Sequence, residues 1–280
     1  MLDSFRELAD NYQVIFFDAY GVLKNFEGVM EGVLDVLADL KREGKELFVV
    51  TNDSSRSPKK MSQLYVHPEA GELFPEDRII SSGMLARDFL RAKVRMKKVA
   101  YLGKPDSAYY IQTAGLTAIP IAELTEHDEI GAIALLDDEG FDWQSDINRA
   151  INLLRRRTIP VVVANSDTVY PVHKNDVAIA VGGIADLMES AIGRKFVRFG
   201  KPDAYMFSYS FARASAITPG IKRKEVLMVG DTLETDIRGG NSFGIDTVLV
   251  LSGNTAKQNY PFLIDRTGDI PDYVCESIAT

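Results

Sequence analysis

Three apolar runs constrain what this chain can fold into, because each stops abruptly at a hydrogen-bonding or charged side chain. They are residues 14–17 before Asp18, residues 47–50 before Thr51 and Asn52, and residues 226–229 before Gly230 and Asp231. A short continuous apolar run flanked by turn formers fits a parallel strand that is covered on both faces. Open α/β sheets bind their ligands beyond the carboxyl ends of such strands. Two carboxylates, a hydroxyl and an amide, distant in sequence, are therefore expected to converge in one crevice.

Composition permits this architecture and removes several alternatives. A chain of 280 residues with 46% hydrophobic content can bury a large core, and its length favours about two domains. The net charge of -8, from 32 basic and 40 acidic residues, speaks against nucleic acid as a partner, since phosphate backbones call for a basic face. Cys275 is the single cysteine and cannot form an intramolecular disulfide. The opening MLDSFRELADNYQ has neither the charged n-region nor the apolar stretch of a signal peptide. No apolar run approaches the roughly 20 residues needed to span a bilayer. The expectation is a soluble, cytoplasmic protein with no nucleic acid and no membrane among its partners.

Periodicity divides the chain further. Met30, Val33, Leu34, Leu37 and Leu40 form one helical stripe. The second apolar run enters the polar loop TNDSSRSP, whose Ser and Thr residues can cap a helix and whose Pro58 suits a first turn. A helix over 84–93 follows Ser81, Ser82 and Gly83. A second set of α/β signals comes next, with strands near 98–102, 130–136 and 160–164 and helices near 143–157 and 184–192. The first theme then resumes with a strand over 196–199, the segment GKPD, a helix near 204–216, the 226–229 strand and a final strand over 247–251. This pattern predicts a discontinuous parallel-sheet core, residues 1–83 and 196–280, interrupted by an inserted α/β domain over 84–195.

In chain order the polar ends read FFDAYGVL, VVTNDSS, FGKPDAYMF and MVGDTLETDIRGG. In these four segments and their order the chain resembles the haloacid dehalogenase (HAD) superfamily, and within it the nitrophenylphosphatase-like and sugar-phosphatase-like proteins with a large α/β cap. The resemblance covers essentially the whole chain. It implies a Rossmann-like core, an inserted cap that sets specificity, and a magnesium-dependent phosphatase acting on a small phosphorylated metabolite such as a sugar phosphate. A homo-oligomer formed through the cap is compatible with it.

Carried over residue by residue, the resemblance makes Asp18 the nucleophile that forms an aspartyl phosphate. Mg²⁺ would be held by Asp18, the backbone carbonyl of Tyr20 and Asp231, with Asp236 ligating through water or steadying the cluster. Thr51, the Asn52 backbone amide and Lys201 would bind the phosphoryl group, and Asn165 and Asp167 in the cap would meet the substrate. A hard cation and an ammonium are what an anionic nucleophile needs to approach an anionic phosphate. Taken singly, each residue has a plainer reading. Asp18, Asp231 and Asp236 read as turn formers or helix-start acids, Thr51 and Asn52 as strand terminators, and Lys201 as a loop lysine.

One position departs from the family pattern. The resembling phosphatases carry an aspartate two residues after the nucleophile, acting as general acid and then base, and here Tyr20 stands in its place. General acid/base help is worth about 10² to 10⁴ in rate, and a phenol of ordinary pKa is a poor base at neutral pH. The alternative reading is accordingly a phosphoryl-binding or regulatory protein with impaired hydrolysis. Relatives lacking that aspartate include ion-pump ATPases and phosphonate hydrolases; the latter use a cap lysine, which this sequence alone does not nominate, and Lys174 and Lys195 read better as surface lysines. Asp53 is a smaller departure, expected to turn away from the phosphate or to pair with Arg56. His67, His127 and His173 read as surface residues. The pairs Gly182/Gly183 and Gly239/Gly240 do not fit a dinucleotide fingerprint.

Overall fold

Strand Val14–Phe17 lies at the centre of a sheet because its side chains alternate between two cores. Ile15 and Phe17 join one buried cluster with Phe5, Leu37 and Leu40, while Val14 and Phe16 join another with Met206, Phe207 and Phe243. Every position of the run is 0% exposed, which is why no polar residue interrupts it. The computed structural model describes residues 4–125, 127–172 and 176–279. Across this first sheet the strands run in the order Tyr273–Cys275, Asp246–Val250, Val226–Gly230, Val14–Phe17, Glu46–Thr51 and Ile79–Ser81, all parallel.

Register brings the polar ends together. Phe17 pairs with both Val229 and Val49, so Asp18, Thr51 and Asp231 leave their strands side by side at one edge. A one-residue slip would turn every side chain of a strand to the opposite face, so the two cores fix this alignment.

A second parallel sheet has the order Val197–Arg198, Val161–Val163, Ala132–Leu135, Lys98–Leu102 and Thr117–Pro120. It also separates two cores, one containing Ile133, Leu135, Leu153 and Met188, the other Ala132, Ala134, Leu90 and Ile111. Helix Ser82–Lys93 crosses between the sheets. Met84 and Leu85 pack on the first, Ala86 and Leu90 on the second. The sheets are stitched by Ser54 Oγ donating to the Leu136 carbonyl, Ser82 Oγ to Ala164, and Tyr110 Oη to the Arg56 carbonyl at 2.8 Å.

Several elements differ from the sequence reading. The strand expected over 196–199 as part of the first sheet is shorter, and pairs Val197 with Val162 at the edge of the second. Both of its residues are only half-buried, and the alternation of so short an edge strand carries no information about which sheet it joins. The glycine pair Gly182/Gly183 does not precede its helix but lies in the first turn of Val181–Ile192. A Cβ on Gly182 would stand 2.4 Å from the Ser166 carbonyl oxygen, so the glycines let this helix press against the 166–168 loop. The final edge strand Tyr273–Cys275 and the strand Thr117–Pro120 were not anticipated, both being short and only partly buried. Among the described residues no helix is long and apolar enough to cross a membrane.

Candidate active site

The segment after strand Val197–Arg198 turns through Gly200 and delivers Lys201 beneath the first sheet's polar edge. Lys201 is 1% exposed, and its Nζ lies 2.7 Å from Asp18 Oδ1 and 2.7 Å from Asp236 Oδ1. Burial alone would discharge this ammonium, but the two carboxylates outweigh it and hold its pKa above the ordinary lysine value. It is therefore a fixed positive charge, not a loop lysine.

Asp231 completes the group. Carboxylate oxygens of Asp18, Asp231 and Asp236 lie within 4.8 Å of one another. Burial, followed by repulsion from Asp18 and Asp236, pushes the Asp231 carboxyl well above the usual range. Its oxygens are aimed by the Asn254 N–H at 2.6 Å and the Thr232 hydroxyl at 3.0 Å. Gly21 makes room for it, with φ of 81° and a Cβ position that would fall 2.1 Å from Asp231 Oδ2. Three clustered carboxylates sharing one ammonium form an all-oxygen donor set with excess negative charge, which fits a hard divalent cation. Asp236 is not an ordinary helix-start acid: it is 0% exposed in a wide turn, Leu233–Ile237, and accepts the Thr232 N–H at 3.1 Å.

Around this centre the structure brings most of the expected residues together. Asp18 Oδ1 takes the Ala19 N–H at 2.7 Å as well as Lys201, leaving Oδ2 without a protein hydrogen bond among the described residues. The Thr51 hydroxyl accepts from the Asp53 N–H at 3.1 Å, which keeps its own proton available. Asn52 acts through its side chain as a clip: Oδ1 accepts the Lys201 N–H at 2.7 Å, while Nδ2 donates to the Lys201 carbonyl at 3.1 Å and to Asp167 Oδ1 at 2.9 Å. Asp167 thereby ties the second sheet to the nucleophile's neighbourhood. Burial pushes its carboxyl up to about 6, against the pull of Lys201. Asn165 caps the turn by accepting the Asp167 N–H at 2.8 Å.

Tyr20 is committed elsewhere. Its hydroxyl donates to the Pro171 carbonyl at 2.7 Å, and its ring meets Tyr170 edge to face at 6.2 Å between centroids. Burial, then Asp231, pushes the phenol further from ionisation. Asp53 pairs with Lys24, 3.5 Å away; of its two expected arrangements, turning from the phosphate or pairing with Arg56, the second is not formed as an ion pair among the described residues. The proximity of Lys24 was not legible because it enters from a separate short hairpin. The exposed Lys195 binds the buried Glu189 at 2.8 Å, and neither lines the cleft; His67 pairs with Asp35 at 3.1 Å, and His127 is exposed. His173 and Lys174 lie outside the described residues.

Asp18, Tyr20, Thr51, Asn165 and Asp167 line a cleft of about 690 Å³ between the two sheets. The opposite wall holds residues that were not nominated, chiefly Lys104, Asp137 and Asp138. A signal was present: the run 132–136 ends in Asp137 and Asp138, the same pattern as the three runs that were used.

Comparison with known proteins agrees with this geometry. Residues 15–117 match the haloacid dehalogenase-like hydrolase family model, and residues 198–280 match a second, HAD-hydrolase-like model. Chronophin from Homo sapiens is 30% identical over 283 residues, covering 98% of this chain and 93% of its own. The crystal structure of a possible sugar phosphatase of the HAD superfamily from Cytophaga hutchinsonii superposes with a TM-score of 0.93 at 45% identity, covering 100% of this chain and 99% of that one. The fold recurs in glycerol phosphate phosphatase from Mycobacterium tuberculosis in complex with magnesium, with a TM-score of 0.76 and 21% identity, covering 97% of this chain and 76% of that one. Matched along its whole length by such proteins, with the carboxylates and lysine of three separated segments and the threonine of a fourth gathered at one sheet edge, the chain belongs to the haloacid dehalogenase-like hydrolases, among their phosphatases.

Proposed function

We propose that this enzyme hydrolyses a small phosphomonoester through an aspartyl phosphate on Asp18, with magnesium as cofactor, in a first-sheet core of residues 1–83 and 199–280 beneath a cap of residues 84–198 that closes with the second-sheet strand Val197–Arg198. The observation that carries the proposal is Lys201 Nζ wedged 2.7 Å from Asp18 and 2.7 Å from Asp236, with Asp231 in the same cluster. Asp18 Oδ2 attacks phosphorus while the ester oxygen leaves with its electron pair and takes up a proton. Water then attacks the same phosphorus, releasing inorganic phosphate and restoring the carboxylate. Lys201 offsets negative charge on the nucleophile and on the phosphoryl oxygens, and Thr51 donates to one of them. Asp18, the Tyr20 carbonyl and Asp231 would hold the magnesium, with Asp236 behind them, and the ion would supply the remaining neutralising charge.

A binding readout tests the metal independently of turnover. Magnesium is expected to raise the thermal midpoint of the substrate-free protein, by about 2.7 kcal/mol of stability at a hundred times its dissociation constant. Asp231→Asn should abolish that increment, whereas an equal increment in the variant would remove Asp231 from the site. Phosphate release from para-nitrophenyl phosphate should depend on magnesium and stop with chelator.

Lys201→Met leaves Asp18 and Asp236 facing each other without a counter-charge. Breaking a buried pair of this kind costs about 3 kcal/mol or more, so denaturant unfolding should begin at clearly lower concentration. An unchanged midpoint would mean that the ammonium is dispensable to the fold.

A second reading is favoured by the Tyr20 contact. With the phenol donating to Pro171, no acid/base group stands two residues beyond the nucleophile. Formation of the aspartyl phosphate would then outpace its hydrolysis, and the protein would act chiefly as a slow phosphoryl acceptor.

A further inference from the structure

The wall of the cleft opposite Asp18 is poor in donors. Asp137 is 6% exposed, and among the described residues its Oδ2 has no hydrogen-bond partner and its Oδ1 receives only the Glu139 N–H at 3.4 Å. Beside it, Asp138 Oδ2 accepts the Tyr170 hydroxyl at 2.9 Å. Burial displaces the Asp137 carboxyl up to about 6, with Asp138 adding to the effect. A buried carboxylate oxygen lacking a donor is costly, and the cost is recovered when a ligand supplies one.

The lysines lining the cleft are engaged. Lys104 binds Glu139 at 2.6 Å, and Lys24 pairs with Asp53 at 3.5 Å. Besides Asp18, the described residues of the lining carry six carboxylates against three cations, the third being Arg56. A leaving group that is itself an anion would meet net repulsion there, whereas an ammonium or hydroxyl would find charge-assisted acceptors.

Building on the phosphatase reading, we infer that the cleft selects a phosphomonoester whose leaving group carries a protonated amine together with hydroxyls, recognised by Asp137 and Asp138. The phosphoryl end is then held by Thr51 and Lys201, and the amine by the facing wall.

Three six-carbon sugar phosphates differ in the needed charge: glucosamine 6-phosphate, glucose 6-phosphate and the open-chain acid 6-phosphogluconate, the first two sharing one ring. With magnesium, kcat/KM for phosphate release is expected to fall in that order, by about 100-fold or more from the first to the last. Asp137→Asn and Asp138→Asn should each shrink the ratio between the amino sugar and glucose 6-phosphate, a readout internal to each variant. Should Asp137→Asn fail to fold by circular dichroism, Asp138→Asn decides alone. Preference for the neutral or acidic sugar, equal use of all three, or a ratio unmoved by the substitutions would overturn the inference. Release from para-nitrophenyl phosphate by the wild-type enzyme separates the two levels: its absence defeats the phosphatase reading, and its presence with the wrong sugar order defeats only this one.

Discussion

Asp18→Asn is expected to lower magnesium-dependent phosphate release by about 10⁴-fold or more while leaving the fold intact. An amide keeps the shape of the side chain and can still accept from Lys201, but it is not an anion and cannot form an acyl phosphate. Asp18 follows a strand that is fully buried on both faces, and its Oδ1 is already bound by Ala19 N–H and Lys201, so the backbone has no reason to move. Thermal unfolding checks the fold and a phosphate assay checks the chemistry. Retention of more than a tenth of the activity would assign the nucleophile elsewhere.

Tyr20→Asp is expected to act in the opposite direction. The tyrosine hydroxyl donates to the Pro171 carbonyl and is pushed away from ionisation, so it serves as a contact to the short strand Val169–Pro171 and not as an acid or base. A carboxyl group at this position, partly buried and near Asp231, would have its pKa raised toward neutrality, where proton transfer is most effective. Turnover should rise by about 10² to 10⁴ if the proton-transfer step is limiting. The hydroxyl lost from Pro171 costs about 1 kcal/mol of stability, so the variant should be faster and slightly less stable. Tyr20→Phe removes the same hydrogen bond without adding a carboxyl and should stay within about tenfold of the parent rate. A Tyr20→Asp enzyme no faster than wild type would mean that another group, such as Asp167, already transfers the proton.

The centre of the site was legible because it is written at strand ends. Burial on both faces forces an apolar run, the end of burial admits a polar residue, and parallel register sets Asp18, Thr51 and Asp231 side by side. Lys201 was recognisable only with the family pattern, since neither an isolated lysine nor the short strand before it reveals that the chain returns to Asp18 from the second sheet. Asn52 illustrates what sequence does not reach. Beyond the phosphate contact expected of its backbone amide, its side chain links Lys201 to Asp167, a relation among residues 149 and 115 positions away. The acidic wall at Asp137 and Asp138 obeys the strand-end rule, yet whether those ends face the same cleft depends on how two sheets are apposed. That apposition rests on isolated contacts such as Ser54 to Leu136, which leave no periodic trace.

The most direct measurement is mass spectrometry of the enzyme quenched in acid during turnover of para-nitrophenyl phosphate with magnesium, followed by peptide mapping. The expected result is one phosphoryl group on the peptide containing Asp18, accumulating in wild type, diminished in Tyr20→Asp and absent in Asp18→Asn. Steady turnover with no phosphoryl group on Asp18 under any quench time, or the same adduct in Asp18→Asn, would contradict the role given to this carboxylate.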